Sequence, residues 1–327
     1  MRAIVADAPG GPEALELRAV PRPEPGPGQV LVRVAYVAMN PLDTHARAAR
    51  IDWNAPEFPF TPGYEFSGRV ESVGAGVDPA LVGRRVVCEA EWGGCADFAL
   101  ATAERLIDIP DDFDWPLGTV FHTCAYSAWH VLHTAGRLRP SDHVLLHSGA
   151  GPVGLMATQI AKEAGATVTA LVGSPAKIEF ARPFGADHLI DREATDWVQE
   201  ILSLTDGRGV DLIIDGVAGP DSHRNFEALA PLGEVIFMGA VAGQPEPVDI
   251  SQQLYYKTIG VRGFVVYTAM AATGGKEIPA IHEALASGRW KIPITRVVPL
   301  EETADLHRRW ENRELYGKCL IEVGGEI

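Results

Sequence analysis

Three glycines in the spacing GxGxxG, Gly149, Gly151 and Gly154 of HVLLHSGAGPVG, follow a short apolar run and precede a helix-like period. A strand, a tight turn and a helix start bring unpaired backbone N–H groups and the positive end of a helix dipole to one point, which suits a pyrophosphate. In that reading Gly149 permits the turn, Gly151 lets the backbone approach the phosphates, and Gly154 lets helix and strand pack closely. Ala150, Pro152 and Val153 complete the loop. The bland alternative is a glycine turn with no ligand; the strand before it and the helix after it favour the dinucleotide. NAD binders carry an acid about 20 residues further on, at the end of the second strand. That stretch here reads VGSPAK, with Gly173, Ser174 and Lys177 where the acid would stand. A hydroxyl and an ammonium suit a 2′-phosphate, so NADPH is the expected cofactor. Arg192, after the third strand, is a further candidate for the phosphate. The competing reading makes Ser174 a helix cap ahead of Pro175, and Lys177 and Arg192 ordinary surface cations.

The elements that must position these residues are written as an alternation. HVLLHS (143–148), ATVTALV (166–172), HLI (188–190), VDLIID (210–215) and EVIFMG (234–239) are apolar runs separated by helix-like segments, which predicts a parallel doubly wound sheet over about 121–262. Val153, Met156, Ala157, Ile160, Ala161 and Ala164 step at helical spacing. Before residue 120 the chain reads differently. LELRAV (15–20), QVLVRVAYVA (29–38), SGRVESVG (67–74), RRVVCEA (84–90) and DFALA (97–101) are short strands punctuated by Pro/Gly loops, which fits an antiparallel, barrel-like unit. Near the end, 276–288 and 301–312 read as helices, with ITRVVPL and GKCLIEV as strands that rejoin the first unit.

Composition bounds the function. At 327 residues the chain is more than twice the roughly 150 of a typical domain, so two units are expected. Hydrophobic residues make up 46% and charged ones 22%, the balance of a globular protein. Setting 28 basic against 43 acidic residues gives a formal charge of -15, which argues against nucleic acid or anionic membrane as a partner. No apolar run approaches the roughly 18 residues of a membrane span, and no export segment is expected. Cys88, Cys95, Cys124 and Cys319 are scattered without CxxC spacing, which predicts neither a disulfide framework nor a structural zinc site and fits a reducing cytoplasm.

From end to end, PEPGPGQVLVRVAYVAMNPLDTHAR, FPFTPGYEFSGRVESVG, GRRVVCEAEWGGCADFALA, HVLLHSGAGPVGLMATQIAK, VDLIIDGVAG and YGKCLIEV resemble the zinc-free quinone oxidoreductase (zeta-crystallin-like) branch of the medium-chain dehydrogenase/reductase superfamily. The resemblance implies an α/β fold: a Rossmann doubly wound parallel sheet, residues 121–262, inserted into a discontinuous GroES-like β-barrel catalytic domain, residues 1–120 and 263–327, with the active site in the cleft between them. Zinc-dependent relatives carry GHE and an early cysteine; here the segments read GYE (Gly63, Tyr64, Glu65) and MNPLDTH, so no metal is expected. Asn40 matches the family's asparagine, a hydrogen-bond partner for substrate oxygen or cofactor ribose, while Asp43 is expected to cap or brace its helix. His45 stands where many relatives have tyrosine, and reads either as a general acid or polar wall, or as a satisfied structural histidine. Tyr64 joins Asn40 and His45 as the catalytic set; Trp53, Trp92 and Trp129 either line a flat apolar pocket with it or are ordinary core. Residues 51–60 are placed as a substrate loop.

Cys124 stands where relatives commonly have a threonine that contacts the nicotinamide amide. Gly239, Ala240, Phe264, Val265 and Val266 match segments that flank the nicotinamide, the last three in a strand that often pairs across a dimer, and Lys318 of YGKCLIEV completes the cofactor-binding set. The implied activity is zinc-independent, NADPH-dependent hydride transfer to a quinone or to the C=C of an α,β-unsaturated carbonyl, by a homodimer acting on a small molecule. Two alternatives stay open: an enoyl-thioester or polyketide-type enoyl reductase, and an NADPH-binding protein without turnover.

Overall fold

The computed structural model describes residues 1–51, 55–89, 92–325 and 327. It divides into two compact units, Met1–Phe121 with Pro293–Ile327, and His122–Ile292. Among the described residues no helix is long and apolar enough to cross a membrane.

The first unit is built on the strand Gln29–Ala38, which the run QVLVRVAYVA foretold to the residue. Valine-rich and buried along most of its length, it pairs antiparallel with Glu65–Val73, with Phe98–Thr102 and with Lys318–Glu322. Outer strands Arg85–Glu89, Ile107–Asp108 and Ile294–Pro299 complete a seven-stranded sheet. Its core joins Val30, Val32, Val34 and Val37 to Phe66, Val70, Val86 and Ile321, so residues from both ends of the chain fill one interior. Directly after the central strand comes the helix Pro41–Arg47, with Pro41 at its first position, where a missing N–H costs nothing.

That helix carries Arg47, 1% exposed, whose Nε donates to the Gly10 carbonyl at 3.2 Å and whose guanidinium pairs with Glu311. Close by, on the helix Thr303–Glu311, His307 is also 1% exposed; burial, and then the Arg47 charge, push its pKa down to about 3. An unfolded histidine titrates near 6.5. Between those values the unfolded chain holds the extra proton, so stability is present above about pH 6.5 and drains away as the pH falls toward 3, by at most about 1.4 kcal/mol per pH unit. His307→Leu is expected to flatten this slope in urea unfolding series run from pH 7 down to pH 5; wild-type and variant curves that fall in parallel would contradict the assignment.

The second unit holds six parallel strands: His143–Leu146, Thr167–Val172, His188–Asp191, Val210–Asp215, Leu229–Phe237 and Gly260–Gly263. Numbered in chain order within the unit, they lie in the spatial order 3-2-1-4-5-6. This is the doubly wound dinucleotide-binding order, whose direction of winding reverses between strands 1 and 4. Central strands have both faces covered, and their near-continuous Val, Leu and Ile content follows from that. The helix Pro152–Glu163 buries Leu155, Met156, Ala157, Ile160 and Ala161, while Val153 and Ala164 of the expected stripe are only half-buried.

Two expectations need correction. The chain returns to the first unit at Pro293, not near residue 263. The helix Ile278–Ala286 and its flanks are tied into the second unit by side chains: His282 Nε2 lies 2.7 Å from Tyr126 Oη, Glu277 lies 3.0 Å from His130 Nε2, and Trp290 Nε1 donates to Glu163 at 2.7 Å. Phe264, Val265 and Val266 are not a strand either. The edge strand is Gly260–Gly263; Phe264 N–H makes one last bond to the Phe237 carbonyl at 2.9 Å, and a helix opens at Val266.

Candidate functional site

In the second unit the strand His143–Leu146 runs into the glycine turn. Ser148, at φ 55°, is the left-handed residue of that turn. Gly149 is needed for close approach, since a β-carbon there would stand 2.6 Å from Ala170 Cβ. Its N–H donates to the Leu171 carbonyl at 2.8 Å, and Gly151 N–H closes the turn on the Ser148 carbonyl at 2.8 Å. Gly151 caps a twelve-residue helix with Pro152 at its first position. A β-carbon on Gly154 would collide with the Ser148 carbonyl oxygen and lie 3.2 Å from Gly149 Cα, so the turn and the helix touch through bare backbone. Ala150 is buried, Pro152 and Val153 half-buried. The first-turn N–H groups of this helix have no intrahelical acceptors and cluster where strands 1 and 4 diverge.

The candidates for the 2′-phosphate meet at the ends of strands 2 and 3. Asp191 lies opposite Val172, and Arg192 N–H donates to the Val172 carbonyl at 3.0 Å, which brings Arg192 beside Gly173 and Ser174. Ser174 is the cap of the helix Pro175–Ala181, its Oγ accepting from Lys177 N–H at 3.4 Å. Capping uses the oxygen and leaves the hydroxyl proton available as a donor, so cap and ligand are compatible roles. Lys177 is half-buried. Sequence reading missed Glu193, whose Cγ lies 4.0 Å from a β-carbon built on Gly173 and whose carboxylate is 3.5 Å from Arg192 Nε. The VGSPAK stretch lacks a carboxylate, but a neighbouring strand end supplies one.

Gly239 and Ala240 lie in a loop laced to the one after strand 4: Ala242 N–H donates to the Val217 carbonyl at 2.9 Å, and a β-carbon on Gly239 would be 2.9 Å from the Gly216 oxygen. Phe264 is half-buried, Val265 58% exposed and Val266 buried. Cys124 is buried in the π-helical turn His122–Tyr126, its Sγ 4.0 Å from the hydroxyl of Thr123. Trp129 belongs to this unit, its ring 5.0 Å from that of His130 and 4.8 Å from that of His133.

The first unit gathers Asn40, Asp43, Tyr64, Glu65 and Lys318 into one polar cluster. Lys318 is 3% exposed and Glu65 0%, with Nζ and Oε2 3.0 Å apart. Asn40 Oδ1 accepts from Lys318 at 2.9 Å, while Nδ2 donates to Glu65 at 2.9 Å and to the Ala38 carbonyl at 3.2 Å. Turning the amide over would set N–H against ammonium and oxygen against carboxylate, so its orientation is fixed by charge on both sides. Both Asn40 N–H groups are engaged, and what the side chain still offers a ligand is a lone pair on Oδ1. Of the two expected partners, such an oxygen suits the hydroxyl of a ribose. Lys318, expected among cofactor residues, is sunk beneath Asn40 as its orienting partner.

Asp43 braces the cluster as expected. Its Oδ2 accepts from Asn40 N–H at 3.0 Å, and Oδ1 from the N–H groups of Gly63 and Tyr64 at 2.9 and 3.0 Å. Burial raises its pKa to about 6, against the pull of those donors and of Lys318. His45, two residues further along, is half-buried; burial, then the Arg50 charge, hold its pKa below the usual histidine range, with Glu311 opposing. Its Nε2 is buried and has no hydrogen-bond partner among the described residues. Tyr64 is 8% exposed and stands edge-on to Trp92, ring centres 5.4 Å apart, with Phe60 5.8 Å beyond. Trp53, with the neighbouring residues 52 and 54 of the expected substrate loop, lies outside the described residues. Among the described residues no three His, Cys, Asp or Glu side chains come together as metal ligands.

Residues 26–133 match the family model "Alcohol dehydrogenase GroES-like domain", and residues 152–286 match "Zinc-binding dehydrogenase". A 2-haloacrylate reductase from a Burkholderia species is 30% identical, over 98% of both chains. Among solved structures, a mycobacterial protein in complex with NADPH superimposes with a TM-score of 0.87 at 28% identity, covering 98% of this chain and all of the other. A quinone oxidoreductase from Pseudomonas syringae gives 0.89 at 27%, covering 98% and 99%. With the 3-2-1-4-5-6 sheet and the glycine turn at its switch point, these likenesses make the chain a member of the medium-chain dehydrogenase/reductase family of oxidoreductases, in its quinone oxidoreductase (zeta-crystallin-like) branch.

Proposed function

We propose that this chain reduces a quinone or the conjugated C=C of an α,β-unsaturated carbonyl with NADPH. The observation that carries the reading is the glycine turn at the switch point of the sheet, whose helix start can hold a pyrophosphate, with Ser174, Lys177 and Arg192 following the ends of strands 2 and 3 in the chain. NADPH, when bound, supplies the hydride. The glycine turn takes the pyrophosphate, and Ser174, Lys177 and Arg192 the 2′-phosphate, with Arg192 exchanging Glu193 for the ligand. Asn40, its amide turned by Lys318 and Glu65, accepts from a ligand hydroxyl or N–H.

His45 presents a neutral imidazole whose buried Nε2 has no hydrogen-bond partner among the described residues, and we assign it to the substrate carbonyl. There it hydrogen-bonds the oxygen on which negative charge grows as hydride adds at the β-carbon. A proton, from His45 or from water, then completes the reduction. The donor set does not suit zinc, since Glu65 is already held by an ammonium and an amide. The Burkholderia relative is named for reduction of an acrylate, itself a conjugated acid, which supports the C=C arm.

The test is a spectrophotometric comparison of NADPH and NADH across acyclic enones, quinones and enoyl thioesters. NADPH oxidation with enones or quinones, faster than with NADH, is expected. Absence of NADPH turnover above background with every acceptor would sink the reading, and tight NADPH binding without turnover would favour a binding protein.

A further inference from the structure

Two loops meet at the switch point of the parallel sheet, and each contains a non-glycine residue held in the left-handed region: Ser148 at φ 55° after strand 1 and Ala218 at φ 51° after strand 4. Such residues persist only where their surroundings over-determine them. One chain of hydrogen bonds links the two loops. Asp215, 1% exposed at the end of strand 4, accepts on Oδ1 from Val217 N–H at 2.7 Å and from Ala218 N–H at 2.9 Å. Its Oδ2 accepts from Asn225 Nδ2 at 2.8 Å, and Asn225, fully buried, faces His147 Nε2 through Oδ1 at 2.8 Å. His147 is the residue immediately before Ser148, and its own N–H bonds to the Ile214 carbonyl at 3.0 Å.

Proton placement along this chain follows from its charged end. A carboxylate can only accept, so the Asn225 amide must turn its N–H toward Asp215 and its oxygen toward His147. The imidazole must then carry its proton on Nε2. An amide flip would break the buried bond to Asp215, and a tautomer change the partly buried bond to Asn225. A carboxylate, an amide and an imidazole are thus locked in one arrangement, and through it the strained turn at Ala218 is tied to the residue that leads into the glycine turn.

We infer that Asp215, Asn225 and His147 are positioning residues that hold the glycine turn and the 216–219 loop in their NADPH-binding shape without touching the cofactor. The inference rests on the dinucleotide reading above. If the turn is held by this chain, cutting it anywhere releases the same constraint, so separate cuts should not accumulate.

The experiment measures the NADPH dissociation constant by cofactor fluorescence, with the melting temperature, for wild type and four variants. His147→Phe keeps the ring shape and loses the donor; Asn225→Leu keeps the bulk and loses both links. Each is expected to weaken NADPH about tenfold, and the double variant no more than either alone. His147→Gln, whose amide can place an N–H where Nε2–H stood, should bind within about threefold of wild type. Variants that melt earlier yet bind NADPH as wild type does, or losses that multiply in the double variant, would overturn the brace. Should Asn225→Leu fail to fold, the contrast between Phe and Gln at the half-exposed position 147 decides alone. A wild-type protein that binds no NADPH would instead overturn the cofactor reading, and the brace with it.

Discussion

A valine at position 154 is expected to weaken NADPH binding by at least about a hundredfold, the scale on which misplacing binding groups by about 1 Å acts. The β-carbon of any residue there meets the Ser148 carbonyl oxygen and comes to 3.1 Å from Ser148 C and 3.2 Å from Gly149 Cα. All of these are backbone atoms, so no side chain can swing aside. The turn itself must move, and it carries the N–H groups assigned to the pyrophosphate. Calorimetric titration with NADPH, with far-UV circular dichroism as the check on folding, reads this directly. Gly263→Ala serves as the control, because a β-carbon there meets nothing within 4 Å. A folded Gly154→Val protein that binds NADPH normally would take the glycine turn out of the site.

Lys318→Met is expected to be the most damaging single change to stability, costing about 3–5 kcal/mol. Methionine fits the volume of the lysine stem but leaves Glu65, 0% exposed, without the ammonium 3.0 Å away. The cost comes from stranding a buried charge, more than from losing an attraction. Removing both charges together, in Glu65→Gln with Lys318→Met, should therefore recover most of the loss, since a buried ion pair often does little better than a neutral replacement. Guanidinium unfolding of the three proteins measures the difference. A single variant less than about 1 kcal/mol below wild type would mean that Glu65 finds water or another cation when the lysine is gone.

What the sequence disclosed and what it withheld divide along a physical line. Periodicity and turn chemistry are local, and they located Gln29–Ala38, Val210–Asp215 and the glycine turn to within a residue. Spacing alone found Gly149, Gly151 and Gly154, while the left-handed residue of the turn, Ser148, carries no signal in the glycine pattern. The polar clusters are tertiary. Glu65 and Lys318 are 253 positions apart, and they meet because Glu65–Val73 and Lys318–Glu322 both pair with Gln29–Ala38. His147 and Asn225 are separated by 78 positions and look like any other polar residues until strands 1 and 4 are known to be neighbours. Glu193 escaped for the same reason: the register of strand 3 on strand 2 puts a carboxylate where linear counting found none.

The pairing of Lys318–Glu322 with Gln29–Ala38 also sets an order of events during synthesis. All six strands of the parallel sheet, from His143 to Gly263, have been made before Lys318 emerges, so the nucleotide-binding half can reach its native topology on the ribosome. The other half waits with its central strand incompletely paired until Lys318–Glu322 has been made. For that interval the nascent chain carries an open strand edge, the kind of surface on which chaperones act and from which aggregates grow.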